Sequence, residues 1–241
     1  MSAVIEPPRP QTLLSPKARL FTVKEYDSMI EHGILTTNDH VELLNGEIIY
    51  KADYGPWAGT RPFSVKEYDA MIEQGILTTN DRVELLNGVI IEQMSKGPKH
   101  ASLNDDIGDF FKETLGVQVV VRYQNPIALN DFSEPEPDIV LATPPRAKYR
   151  SHHPVPDEIL LVIEVSDSTL SLDRNAKSVT YAQAGIRQYL LFNVAARAIE
   201  DYRDPAPDGY RTKQTHTVGK SFNLVAFPEL NINAADLLPP D

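Results

Sequence analysis

A chain of 241 residues, 41% hydrophobic and 24% charged, is long enough for one sizeable α/β domain or a domain with an appendage. Its net charge of −11 excludes a protein that coats nucleic acid with its whole surface, and the absence of cysteine excludes disulfides and thiolate-bound metals. No apolar run approaches the roughly 18 residues that span a bilayer, and the N-terminus lacks the basic-then-apolar order of a secretory signal, so the expectation is a cytoplasmic chain without a membrane partner.

Residues 1–20 carry Pro7, Pro8, Pro10 and Pro16 and are expected to be a disordered, Pro-rich lead. An internal repeat follows. Phe21 to Ile49 and Phe63 to Ile91 are offset by 42 residues and identical at 24 of 29 positions. Two copies are too few for a solenoid, so a tandem duplication accounts for them better. Each copy reads as a helix and a hairpin. Thr22 with Glu25, and Ser64 with Glu67, have the spacing of a capping box. Val65, Tyr68, Met71 and Ile72 form one helical face. Val83 to Leu86 and Val89 to Ile91 flank Asn87-Gly88, the pair most favoured in a two-residue hairpin turn. Residues 21–62 are therefore read as a first copy plus a linker containing Tyr54 to Gly59, and 63–241 as one domain with the second copy (63–91) integral to it.

Farther along, Pro98 to Leu115 reads as a helix with Leu103, Ile107, Phe110, Phe111 and Thr114 on one stripe. Val117 to Tyr123, Pro126 to Asn130 and Ile139 to Ala142 read as strands. Glu158 to Val165 is a near-continuous apolar run, as in a central strand covered on both faces. Asp173 to Ala184 reads as a helix stopped by Gly185, and Gln188 to Val194 with Ala198 to Arg203 as a pair of strands. The tail from Asp204 is Pro-rich and mixed, with an apolar patch at Phe222 to Phe227. The fold class is α/β, a mixed central sheet flanked by helices, with the duplicated helix-hairpin unit in front.

Two acids stand at strand ends. Asp138 follows Pro137 at the start of one strand, and Glu164 lies near the end of the most apolar one. A carboxylate there is costly to desolvate unless it meets a cation or donors. Two such groups on neighbouring strands can share a hard divalent ion, which prefers oxygen ligands. Equally, Glu164 can be a salt-bridged core acid and Asp138 a turn residue. Glu84, before the Asn87-Gly88 turn, either adds a third acid or is an exposed strand residue. His100 either contacts phosphate or water, or is a satisfied core histidine. His152-His153 reads as surface. Lys96, Lys99, Arg146, Lys148 and Arg150 are candidates for a local basic rim, or simply solvated loop charges.

The order Pro137-Asp138, then Glu164-Val165-Ser166, resembles the PD-(D/E)XK nuclease superfamily. With VELLNGVI, GPKH at Gly97 to His100, and the stretch from Asp173 to Asn193, residues Phe63 to Arg203 are similar to the Uma-type putative restriction endonuclease family. That resemblance implies a restriction-endonuclease-like sheet and a Mg2+-dependent endodeoxyribonuclease, with Mn2+ as the alternative ion and DNA as partner. It makes Asp138, Glu164 and the Val165 carbonyl the metal ligands. It departs at Ser166, where the superfamily pattern has lysine and a hydroxyl supplies no positive charge. Lys177 is then expected to reach back into the site. Tyr181, Gly185 and Tyr189 match the same stretch and are read as packing residues. Cutting both strands would favour a homodimer. The competing function is a binding module on the same fold with a decayed site, which Ser166 and the net acidity favour. A metal-free glycosidase with two acids ranks last, because the one tryptophan, Trp57, lies in the linker.

Overall fold

The two repeat copies fold alike. In the first, α1 (Val23–Glu31) is followed by β1 (Val41–Leu44) and β2 (Glu47–Tyr50); in the second, α2 (Val65–Glu73) is followed by β3 (Val83–Leu86) and β4 (Val89–Glu92). Both capping boxes form, on Thr22 and Ser64, so each helix starts where its sequence signals. Asn45-Gly46 and Asn87-Gly88 all take positive φ, 52° and 86° in the first turn and 51° and 79° in the second. That is the conformation a tight hairpin needs and these residues tolerate.

The computed structural model describes residues 17–51, 59–167 and 169–238 and divides the chain into two compact units. The first holds the described residues up to Gln93 together with Asn130–Glu134. Its core is shared between copies: Met29, Leu35 and Ile48 of the first are buried in one cluster with Met71, Leu77 and Leu85 of the second. The second copy is thus grouped with its twin rather than with the rest of 63–241. Residues 17–20, expected to be disordered, are ordered here, with Ala18 bridged to Ile91 and the Arg19 N–H donating to the Ile90 carbonyl. The rest of that Pro-rich lead, and Trp57 with most of the linker, lie outside the described residues. Segment Asn130–Glu134 lies on the second copy: Val65 and Gly88 donate N–H bonds to the Asp131 and Phe132 carbonyls, and the Glu134 N–H bonds the Leu85 carbonyl.

The second unit is built on a six-stranded sheet. Its elements are α3 (Pro98–Leu115), β5 (Val120–Tyr123), β6 (Ile139–Ala142), β7 (Ile159–Ser166), α4 (Leu170–Leu172), a π-helical turn (Asp173–Lys177), α5 (Ser178–Gln183), β8 (Gln188–Asn193), β9 (Ala198–Ala206) and β10 (Gly209–His216). A small hairpin, β11 (Ser221–Asn223) with β12 (Asn231–Asn233), follows. Sheet order is β10-β9-β8-β7-β6-β5, parallel between β7 and β8 and antiparallel elsewhere. The parallel step is the one that crosses over through α4 and α5, as parallel neighbours require.

Alternation along β7 explains its apolar run. Leu161, Ile163 and Val165 join Ile107 and Phe111 of α3 in one buried cluster, while Val162 joins Tyr181, Ile186 and Tyr189 in another. Both faces are covered, so both parities must be apolar. Pro126 to Asn130 is not a strand: its N–H bonds go to irregular partners, Ile127 to Pro135 and Ala128 to Pro154. β10 lies in the tail that showed no strand pattern. It is an edge strand with mostly exposed Arg, Lys and Thr, the composition that keeps an edge soluble and hides its period. Among the described residues no helix is long and apolar enough to cross a membrane.

Candidate metal and phosphate site

β6 and β7 pair with Ile139 opposite Ile163, so Asp138, one residue before β6, comes level with Glu164. Side chains directly opposite in an antiparallel pair share a face, which brings the two acids together. The Asp138 N–H lies 3.4 Å from Glu164 Oε2, and Asp138 Oδ2 accepts from the Val165 N–H at 2.8 Å. Both acids are nearly closed off from water, 3% exposed for Asp138 and 4% for Glu164.

Cations compensate that burial. Lys177 Nζ lies 2.9 Å from Glu164 Oε1 and is itself buried. It ends the π-helical turn, whose extra residue per turn shifts the phase of the helix entering α5. One helical turn on, the Tyr181 hydroxyl donates to the same Oε1 at 2.7 Å. Tyr181 does more than pack. Its ring does pack on Tyr189, but its hydroxyl belongs to the acid cluster. The four-residue spacing of Lys177 and Tyr181 was the available signal, since it puts both on one helical face.

Asp138 has its own donors. Lys96 Nζ is 2.8 Å from Oδ1, and His100 Nε2 is 3.1 Å from Oδ2. Burial alone would raise this carboxyl, but the His100 hydrogen bond and the charges of Lys96 and His100 hold it well below the usual carboxylate range. His100 is thus a buried histidine whose partner is a site residue, and its Nδ1 is buried with no hydrogen-bond partner among the described residues. Of the five candidate rim cations, Lys96 enters the cluster. Lys148 is paired with Glu158, and Arg146 donates to the Val121 carbonyl.

Ser166 is buried and faces Thr169 and Asp173. Asp173, at the expected helix start, is a third buried acid. Desolvation raises its carboxyl, partly offset by Lys177, Thr169 and Ser166, while the charge of Asp138 raises it further. Glu84 lies in the other compact unit, buried in β3 rather than exposed. His152 is on the surface, paired with Glu158.

The donor set is chemically suited to a hard divalent ion: two carboxylates and a backbone carbonyl are all oxygen donors. In a strand the N–H and C=O of one residue point to the same side, so the Val165 N–H that meets Asp138 implies a carbonyl directed toward the same edge. Among the described residues no group of three or more His, Asp or Glu side chains forms a ready metal cage.

A family model described as Uma2, putative restriction endonuclease, matches residues 65–235. Among solved structures, a putative nuclease belonging to DUF820 from Anabaena variabilis matches with a TM-score of 0.57 at 16% identity, over 73% of this chain and 97% of that one. At that identity the likeness speaks to the fold. No curated protein matches the chain.

Proposed function

The chain belongs to the Uma2 family of putative restriction endonucleases, and from that premise we propose that it is a divalent-metal-dependent endonuclease that hydrolyses DNA phosphodiester bonds. The observation that carries the reading is Lys177 Nζ on Glu164, beside Asp138, in a chain whose Ser166 cannot supply that charge. Asp138, Glu164 and the Val165 carbonyl are the residues that would hold Mg2+, or Mn2+ in its place. When bound, such an ion activates a water and offsets charge on phosphate oxygens.

The chain's own residues do the rest. Lys177 keeps a fixed positive charge at the buried acid pair, where developing charge on a phosphate is best stabilised. Tyr181 fixes the orientation of the Glu164 carboxylate by occupying one lone pair of Oε1. His100 and the Val165 N–H do the same for Asp138 Oδ2. Lys96, the most exposed of the cluster's cations, is suited to leave Asp138 and meet a DNA phosphate. Cleavage of both strands of a duplex would ask for two such sites, hence a homodimer.

A second reading has an observation of its own. The Asp138 carboxylate is already engaged on both oxygens, by Lys96 at Oδ1 and His100 at Oδ2. That arrangement suits a nuclease fold that binds DNA or a protein without cutting. Plasmid DNA incubated with pure protein and Mg2+ or Mn2+ separates the two. Nicking or linearisation that is lost in Asp138→Ala and Lys177→Ala, and not fully restored by Lys177→Arg, supports the enzyme. DNA retention with no cleavage in either metal supports the module.

A further inference from the structure

The two repeats exchange their contacts reciprocally. Residues ahead of the first copy pair with the hairpin of the second: Ala18 bridges Ile91, Arg19 N–H meets the Ile90 carbonyl at 2.9 Å, and Glu92 N–H meets the Lys17 carbonyl at 2.9 Å. Residues ahead of the second copy pair with the hairpin of the first: Thr60 bridges Ile49, Arg61 N–H meets the Ile48 carbonyl at 2.8 Å, and Tyr50 N–H meets the Gly59 carbonyl at 3.2 Å. Every member of one set is related to its counterpart by the 42-residue period. The charges follow the same rule. Arg19 bonds Glu25 of its own copy and lies 3.0 Å from Asp81 of the other. Arg61 lies 2.5 Å from Glu67 of its own copy and 2.6 Å from Asp39 of the other. Phe21 and Phe63, equivalent positions, meet edge to face with centroids 5.9 Å apart.

This is the contact pattern of an isologous two-fold interface, in which residue i of one half meets residue j of the other and j meets i. We infer that the repeat pair is a two-fold interface contained within one chain, and that a chain carrying a single repeat would take a second copy of itself as partner through these same contacts. Self-closure within one repeat is opposed by the backbone. Phe21 N–H is tied to the Gly46 carbonyl and Phe63 N–H to the Gly88 carbonyl, each within its own copy at 2.8 Å. From that anchor the preceding residues run to the other copy. In the full-length chain this surface is filled internally, so self-association of the whole protein does not use it.

Deleting one period, Phe21 to Pro62, joins Leu20 to Phe63 and leaves Arg19 two residues before Phe63, where Arg61 stands now. The deletion chain should assemble with twice as many chains per particle as the full-length protein in sedimentation or light scattering. Its melting temperature should rise with concentration, as that of an associating fold does. Arg19→Glu in that background should raise the dissociation constant by at least about tenfold, the scale expected for one partner of a close interfacial charge pair. A folded deletion chain with the same number of chains per particle as the full-length protein overturns the inference. Should the deletion not fold, a protease site inserted within residues 52–58 makes the one-repeat chain from folded protein. The two cut pieces should stay together and be released by Asp81→Arg; pieces that part without that substitution overturn the inference.

Discussion

Replacing Lys177 with methionine tests the centre of the site, because it removes a charge while keeping a long side chain in place. At 2.9 Å and an effective dielectric of about 20, the attraction between Lys177 and Glu164 is about 6 kcal/mol before desolvation is subtracted. Burying the ammonium costs several kcal/mol, so the intact pair is worth little net. Removing one partner is different, because Glu164 is left in its buried position without the Lys177 ammonium, the Tyr181 hydroxyl still donating to Oε1. Lys177→Met should therefore destabilise the protein by about 3 kcal/mol, the low end of what breaking a buried pair costs. The double variant Lys177→Met, Glu164→Gln should recover to within about 1 kcal/mol of wild type, since neither charge then remains. Urea unfolding followed by near-ultraviolet circular dichroism suits the measurement, because Tyr181, Tyr189, Tyr202 and Tyr210 form one aromatic cluster in the same unit. A single variant that costs less than about 1 kcal/mol, as for an exposed pair, would show that Lys177 does not occupy this buried position. A double variant as unstable as the single would refute the charge argument.

Asp138 has a folded-state pKa depressed below its unfolded value, so it contributes stability that is fully present above the ordinary carboxylate range, about pH 4, and is lost as pH falls below it. Acid titration of the melting temperature should show a shallower fall below about pH 4 in Asp138→Asn than in wild type; equal slopes would mean that His100 and Lys96 do not hold this carboxylate. Lys96→Ala removes the cation on Oδ1 and should tighten divalent-ion binding about tenfold by calorimetric titration, the effect of removing a competitor worth about 1.4 kcal/mol. Unchanged or weaker binding would place the ion elsewhere.

The parts of this fold that follow from local chemistry were legible in the sequence. Capping boxes, Asn-Gly turns and the doubly apolar β7 each rest on residues within a few positions of one another. Asp138 and Glu164 could be singled out because an acid at the end of an apolar strand needs an explanation. What could not be read was pairing across distance. Nothing local distinguishes Lys96 from Lys99, yet only the first meets Asp138. Tyr181 looked like a packing residue because its ring does pack, and its hydroxyl partner lies 17 positions away. The strand β10 was hidden because an edge exposed to water has no reason to alternate. The segment around Pro126 to Asn130 failed in the opposite way: its apolar residues are buried, but prolines and irregular partners take the hydrogen bonds a ladder would need.

The hairpin sequence Val-Glu-Leu-Leu occurs twice and meets two environments. Leu86 in β3 is 4% exposed, whereas its counterpart Leu44 in β1 is 52% exposed. The segment Asn130–Glu134 bonds the second copy at Val65, Leu85 and Gly88. The chain therefore contains its own matched control, in which one local sequence is read under two selective pressures. Substitutions at Leu86 should be purged and those at Leu44 should accumulate, so descendants of this repeat are expected to drift apart first at that exposed leucine.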